Sequence, residues 1–120
     1  MPRSDTGRYR GLTLRILGRG GPPAMGPGKA ELIERIDETG SISAAARAMG
    51  MSYRRAWQLV EALNAAYRAP VVVTAVGGER GGGARVTPQG RRLAAGFRAM
   101  ERKASRAIAA DLKRFARRLR

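Results

Sequence analysis

Residues 42–63, ISAAARAMGMSYRRAWQLVEAL, hold two short amphipathic repeats separated by a glycine, and this spacing constrains the fold more than any other feature. Ala45, Ala46 and Met49 fall on one side of a first helix. Ala56, Leu59, Val60 and Leu63 recur at three- and four-residue steps along a second. Gly50 lies between them, where positive φ turns a chain at no steric cost, and Met51 is placed to plug the turn. Ala46 faces the crossing point, where a larger side chain would push the helices apart. Ser43 is the expected N-cap of a helix Ala44–Met49, and Ser52 the expected cap of a helix through about Tyr67. Two helices joined in this way make a helix-turn-helix.

The residues left outside at the start of the second helix are Ser52, Tyr53, Arg54, Arg55 and Gln58. Arg reads guanine O6 and N7 bidentately, Gln pairs with adenine, and Ser or Tyr holds phosphate. These residue types point to double-stranded DNA. The competing reading is an ordinary helical hairpin whose Arg54 and Arg55 are merely solvated. Trp57 lies between the exposed and buried sides, and packing is expected of it rather than base stacking.

The segment after the second helix favours DNA. Val71, Val72, Val73 and Val76 read as a strand, residues 77–83 as a glycine-rich tip, and Ala84, Arg85 and Val86 as a returning strand. A hairpin at this place is the wing of a winged helix-turn-helix. Arg80, Gly81, Gly82, Gly83 and Arg85 would approach the DNA backbone, because glycine lets backbone N–H groups come close to phosphate. A surface loop that touches nothing is the alternative for this tip.

The charge agrees. The 120 residues carry 24 Lys+Arg against 9 Asp+Glu, a formal net charge of +15, and such an excess calls for anions nearby. With no Cys and no His, thiolate or imidazole metal sites, disulfides and Ser-His or Cys-His catalysis are excluded. The sparse acids form no proton-transfer constellation, so neither an enzyme nor a cofactor or metal site is expected. No apolar run approaches the ~20 residues of a membrane span. The polar stretch 1–9 leads into no apolar signal core, so a cytoplasmic location is expected.

Around this centre, residues 1–9 read as a disordered arm, and Leu12, Leu14 and Ile16 alternate as a short strand. Residues 18–28 hold five Gly and three Pro and read as a loop. Lys29 is followed by Ala30, which rules against a phosphate-binding P-loop. Leu32, Ile33 and Ile36 define a helix Lys29–Thr39 stopped by Gly40. Thr87 caps a final helix with Pro88 at its first position, reaching nearly to Arg120. Its apolar stripe of Leu93, Phe97, Met100, Ala104, Ile108, Leu112, Phe115 and Leu119 outruns a small globular body and suits self-association into a homodimer. Dimerisation is expected through Leu93, Phe97, Met100, Ile108, Leu112 and Phe115. Eleven basic and two acidic residues lie in 91–120. They suit either a solvated outer face complementing the helix dipole or added phosphate contact.

On Thr39-Gly40-Ser41-Ile42-Ser43, Gly50-Met51-Ser52-Tyr53, Ala56-Trp57 and Gly81-Gly82-Gly83-Ala84-Arg85-Val86-Thr87-Pro88-Gln89-Gly90, the chain resembles the N-terminal domain of the molybdate-responsive ModE regulators. That domain is a winged helix-turn-helix related to the one in LysR-type regulators. The resemblance runs from about Arg10 to Lys113. It implies a mostly α, α+β fold with a short N-terminal strand, a recognition helix Ser52–Asn64, a wing Val71–Val86 and a dimer joined through the last helix. The expected division is an arm at 1–9, a DNA-binding domain at 10–90 and a dimerisation helix at 91–120. Full-length members add C-terminal molybdate-binding modules. With the sequence ending at Arg120, molybdate binding is not expected of this chain. A sequence-specific transcriptional regulator is the expected function, with a nucleoid-like architectural DNA binder as the alternative.

Overall fold

A computed structural model describes residues 11–75 and 83–120. The expected arm at 1–9 and part of the wing, with Val76, Arg80, Gly81 and Gly82, lie outside the described residues.

The helix predicted from Leu32, Ile33 and Ile36 is α1, Pro27–Thr39. Its three aliphatic side chains and Ala30 are buried, and Gly40 ends it at φ 69° with its N–H on the Ile36 carbonyl, 2.7 Å away. The next helix, α2, spans Ile42–Ala48. Its cap is Ser41, whose Oγ accepts from Ala44 N at 3.0 Å, and not the expected Ser43, whose Oγ accepts from the Arg47 guanidinium at 3.1 Å. The helix therefore starts two residues early, which brings Ile42 into the core. Helix α3, Tyr53–Ala66, begins at the expected Ser52, whose Oγ accepts from Arg55 N at 3.0 Å.

The turn between α2 and α3 bends at the glycine. Gly50 has φ 70°, and Met51 N returns to the Ala46 carbonyl at 3.0 Å. Ala45, Ala46 and Ala56 are buried at the crossing, with Met49 and Met51 packed partly against it. Strands β1, Val72–Thr74, and β2, Ala84–Val86, pair antiparallel with Val72 opposite Val86. In β2, Ala84 and Val86 are buried while Arg85 faces out, the alternation a one-sided hairpin requires.

The extended N-terminal stretch is tied down by one antiparallel bridge, Ile16 to Met25. Met25 is buried, so the Gly/Pro-rich segment read as a loop also contributes an apolar plug to the core. Helix α4, Pro88–Ala107, is capped by Thr87 and followed after Ile108 by α5, Ala109–Ala116. Ile108 N still reaches the Ala104 carbonyl at 3.1 Å and Leu112 N the Ile108 carbonyl at 2.7 Å, so the two pieces continue one another.

The core sits where α1 packs on α2 and α4, with the hairpin closing one side. Leu32, Ile33, Ile36, Val60, Leu63, Val71, Val86 and Phe97 are its largest fully buried side chains. Each contributes about 1.5–3 kcal/mol of transfer free energy. The result is a mostly helical fold with a two-stranded hairpin, a winged helix-turn-helix.

Candidate nucleic-acid interface

Burial of Ala56, Val60 and Leu63 turns the opposite side of α3 outward. Ser52, Tyr53, Arg54, Arg55 and Gln58 are all exposed there. Arg54 and Gln58, four residues apart, lie on one line along the helix, and Glu61 comes next on the same face. Ser52 spends its hydroxyl oxygen on the cap, so its side chain holds the helix start as well as facing outward. Tyr53 meets Trp57 edge to face, ring centroids 6.3 Å apart at 83°. Trp57 packs partly against the core, in line with its expected packing role.

Three side chains fix the interface in place, and of these only Thr87 was expected, as the cap of the last helix. Asn64 Oδ1 accepts from Val71 N at 2.8 Å and Val72 N at 3.1 Å, and its amide donates to the Val72 carbonyl at 2.9 Å. It therefore ties the end of α3 to the first wing strand. Thr87 Oγ1 accepts from Gly90 N at 3.0 Å and donates to the Pro70 carbonyl at 2.7 Å, joining both ends of the hairpin. Tyr67 donates its hydroxyl to the Ala24 carbonyl at 2.7 Å, and burial raises its pKa above the usual tyrosine value. The available signal was an Asn close to the helix end, a residue type that bonds readily to nearby backbone.

The glycine in Thr87-Pro88-Gln89-Gly90 also has a structural reason. A Cβ at Gly90 would lie 2.5 Å from the Val71 carbonyl oxygen. In the wing, Arg85 is exposed and Gly83 lies so near the Gly40 carbonyl that a Cβ would come to 3.3 Å of it.

Acidic side chains are spent elsewhere. Arg98 makes a bidentate pair with Glu34 at 3.0 and 2.9 Å and donates a single hydrogen bond to Glu101 at 2.9 Å. The Glu34 hydrogen bonds, which outweigh partial burial, raise its pKa above the usual arginine value. Arg91 pairs with Asp37 at 3.1 Å, Arg35 with Glu31 at 3.3 Å, and Arg114 with Asp111. These pairs concentrate on α1, α4 and α5. Among the described residues, no carboxylate lies within ion-pair distance of Arg54, Arg55 or Arg85. A guanidinium left without an acid partner is available to an outside anion.

The stripe assigned to dimerisation divides in two. Phe97 is 1% exposed inside the protomer's own core, and Leu93 packs against that core. Beyond them Met100 is 45%, Phe115 64% and Leu119 55% exposed, with Ile108 and Leu112 half-buried. Apart from the end of α4, α5 has no substantial packing partner among the described residues.

A family model described as bacterial regulatory helix-turn-helix protein, lysR family, matches residues 28–91. The molybdenum-pterin-binding protein MopB of Rhodobacter capsulatus is 47% identical over 98 residues, taking in 81% of this chain and 35% of that protein. MopA of the same organism is 42% identical over 92 residues, 77% of this chain and 35% of its own length. The DNA-binding transcriptional dual regulator ModE of Escherichia coli K12 is 39% identical over 67 residues, 56% of this chain and 26% of its own. The chain thus spans about a third or less of the curated relatives it matches.

Proposed function

Because the chain belongs to the lysR family of bacterial regulatory helix-turn-helix proteins, we propose that it binds an operator in duplex DNA as a homodimer and regulates transcription. The observation that carries this reading is the exposed start of α3, cationic and, among the described residues, free of ion-paired carboxylates, beside a wing tied to the same helix by Asn64. Arg54 and Gln58 read base edges in the major groove. Ser52, Tyr53 and Arg55 fix the helix against the backbone, and Arg85 with Arg80 and Gly81–Gly83 brings the wing to the adjacent phosphates.

Residues 10–90 serve as the DNA-binding unit, and 91–120 carry the dimer contact through Met100, Ile108, Leu112 and Phe115. Two copies then face successive major grooves, and the operator is an inverted repeat. The names of the relatives suggest genes of molybdenum handling as targets, with this chain supplying DNA recognition. Its place of action is the cytoplasm. No helix among the described residues is long and apolar enough to cross a membrane.

The test is a competition between a selected operator and random duplex. Arg54→Ala or Gln58→Ala should reduce the preference by about 1–3 kcal/mol, roughly 5- to 150-fold. Undiminished preference in both variants would contradict the assignment of α3, and equal wild-type affinity for all duplexes would favour an architectural role.

A further inference from the structure

A helix lying in the major groove has a phosphate strand along each of its flanks. In α3, Asn64 and Trp57 share one flank, and Asn64 bonds the wing there. Arg55, Leu59 and Ala62 lie on the other flank, at three- and four-residue steps. Against that second flank stands the Gly/Pro-rich segment, leaving a cleft of about 540 Å³ whose lining includes Arg15, Lys29, Arg55 and Gln58. A neighbouring cleft of about 610 Å³ shares Lys29 and adds Arg19 and Arg68. Among the described residues, five cations and no carboxylate line the two.

Like charges gathered in this way repel unless an anion joins them. Lys29 Nζ donates to the Pro23 carbonyl at 2.6 Å, which holds the ammonium near the cleft wall. Partial burial, and then the charge of Arg55, lower its pKa below the usual lysine value. Arg15 and the loop wall precede residue 28, where the family match begins.

We propose that this cationic cleft holds the DNA backbone on the side of α3 opposite the wing, with Arg15 and Lys29 contacting phosphates. The duplex is then gripped at both walls of the major groove, by the wing on one side and by the Gly/Pro segment on the other. The proposal rests on the DNA-binding reading above and adds a contact surface to it. Its phosphate contacts are independent of base sequence, so a random duplex suffices to test them.

The experiment measures affinity for a random-sequence duplex against salt concentration. A wild-type plot of log K against log salt should lose about 0.9 of its slope for each phosphate contact removed, so about 1.8 in an Arg15→Gln/Lys29→Gln double variant. Operator-to-random preference should stay unchanged, and Lys29→Arg should restore the share lost with Lys29. Should the double variant fail to fold, Arg15→Gln alone, at an exposed position, should lose about 0.9 of the slope. An unchanged slope in folded variants overturns the clamp while leaving the α3 assignment standing. A wild-type chain that binds no duplex overturns both.

Discussion

A single methyl group added at Gly90 tests whether the wing is seated as described. The Cβ would lie 2.5 Å from the Val71 carbonyl oxygen, 2.8 Å from Val86 Cγ1 and 3.0 Å from Val71 Cγ1. The carbonyl cannot simply withdraw, because it accepts Thr87 N at 3.0 Å. To reach an ordinary separation of about 3.5 Å, α4 must back away from the hairpin by about 1 Å. Overpacking of this kind costs about 1–3 kcal/mol, and weakened capping bonds add about 1 kcal/mol. Replacing Gly by Ala inside a helix returns about 1 kcal/mol. The net loss for Gly90→Ala is about 2 kcal/mol, a fall in melting temperature of roughly 10 °C. Gly96, in the same helix, has no atom within 4 Å of its built Cβ. Gly96→Ala should therefore raise the melting temperature by a few degrees, since only the propensity gain of about 1 kcal/mol acts there. Thermal unfolding followed by circular dichroism reads both. A Gly90→Ala variant melting at or above the wild type would refute the close approach of α4 to the hairpin.

Three further variants probe other parts of the structure. Asn64→Ala leaves Val71 N and Val72 N without their acceptor and should cost about 2 kcal/mol or more in chemical denaturation, with weakened DNA binding as the wing loosens. Leu112→Asp combined with Phe115→Asp should convert a dimer to a monomer by light scattering while leaving the melting transition intact; a persistent dimer would remove α5 from the interface. Phe97→Asp, by contrast, buries a charge in the protomer's core and should abolish the cooperative transition itself.

The helix-turn-helix was readable because its signals are local. Gly50, the alanines at the crossing and the Ser52 cap act within twenty or so residues, and side-chain spacing reports them directly. The cap of α2 was less accessible, since Ser41 and Ser43 are both chemically suited to it. What selects Ser41 is the Gly40 turn, whose carbonyl accepts Ala84 N at 3.0 Å, from a strand more than forty residues away. Phe97 shows a different limit. An apolar stripe records which side of a helix seeks cover, without saying whether the cover is the chain's own core or another copy. Met25 was hidden by its glycine and proline neighbours, although its bridge to Ile16 places it in the core. The basic cleft could not be read from spacing at all, because Arg15, Lys29 and Arg55 are brought together only by the tertiary fold.

The central claim is that α3 reads sequence in duplex DNA from a two-fold assembly. Selection of bound molecules from a random duplex library tests it most directly. The expected result is an enriched inverted repeat whose half-sites stand about one helical turn, or a multiple of it, apart, with the enrichment lost in Arg54→Ala/Gln58→Ala. Recovery of duplexes without any shared sequence would contradict it.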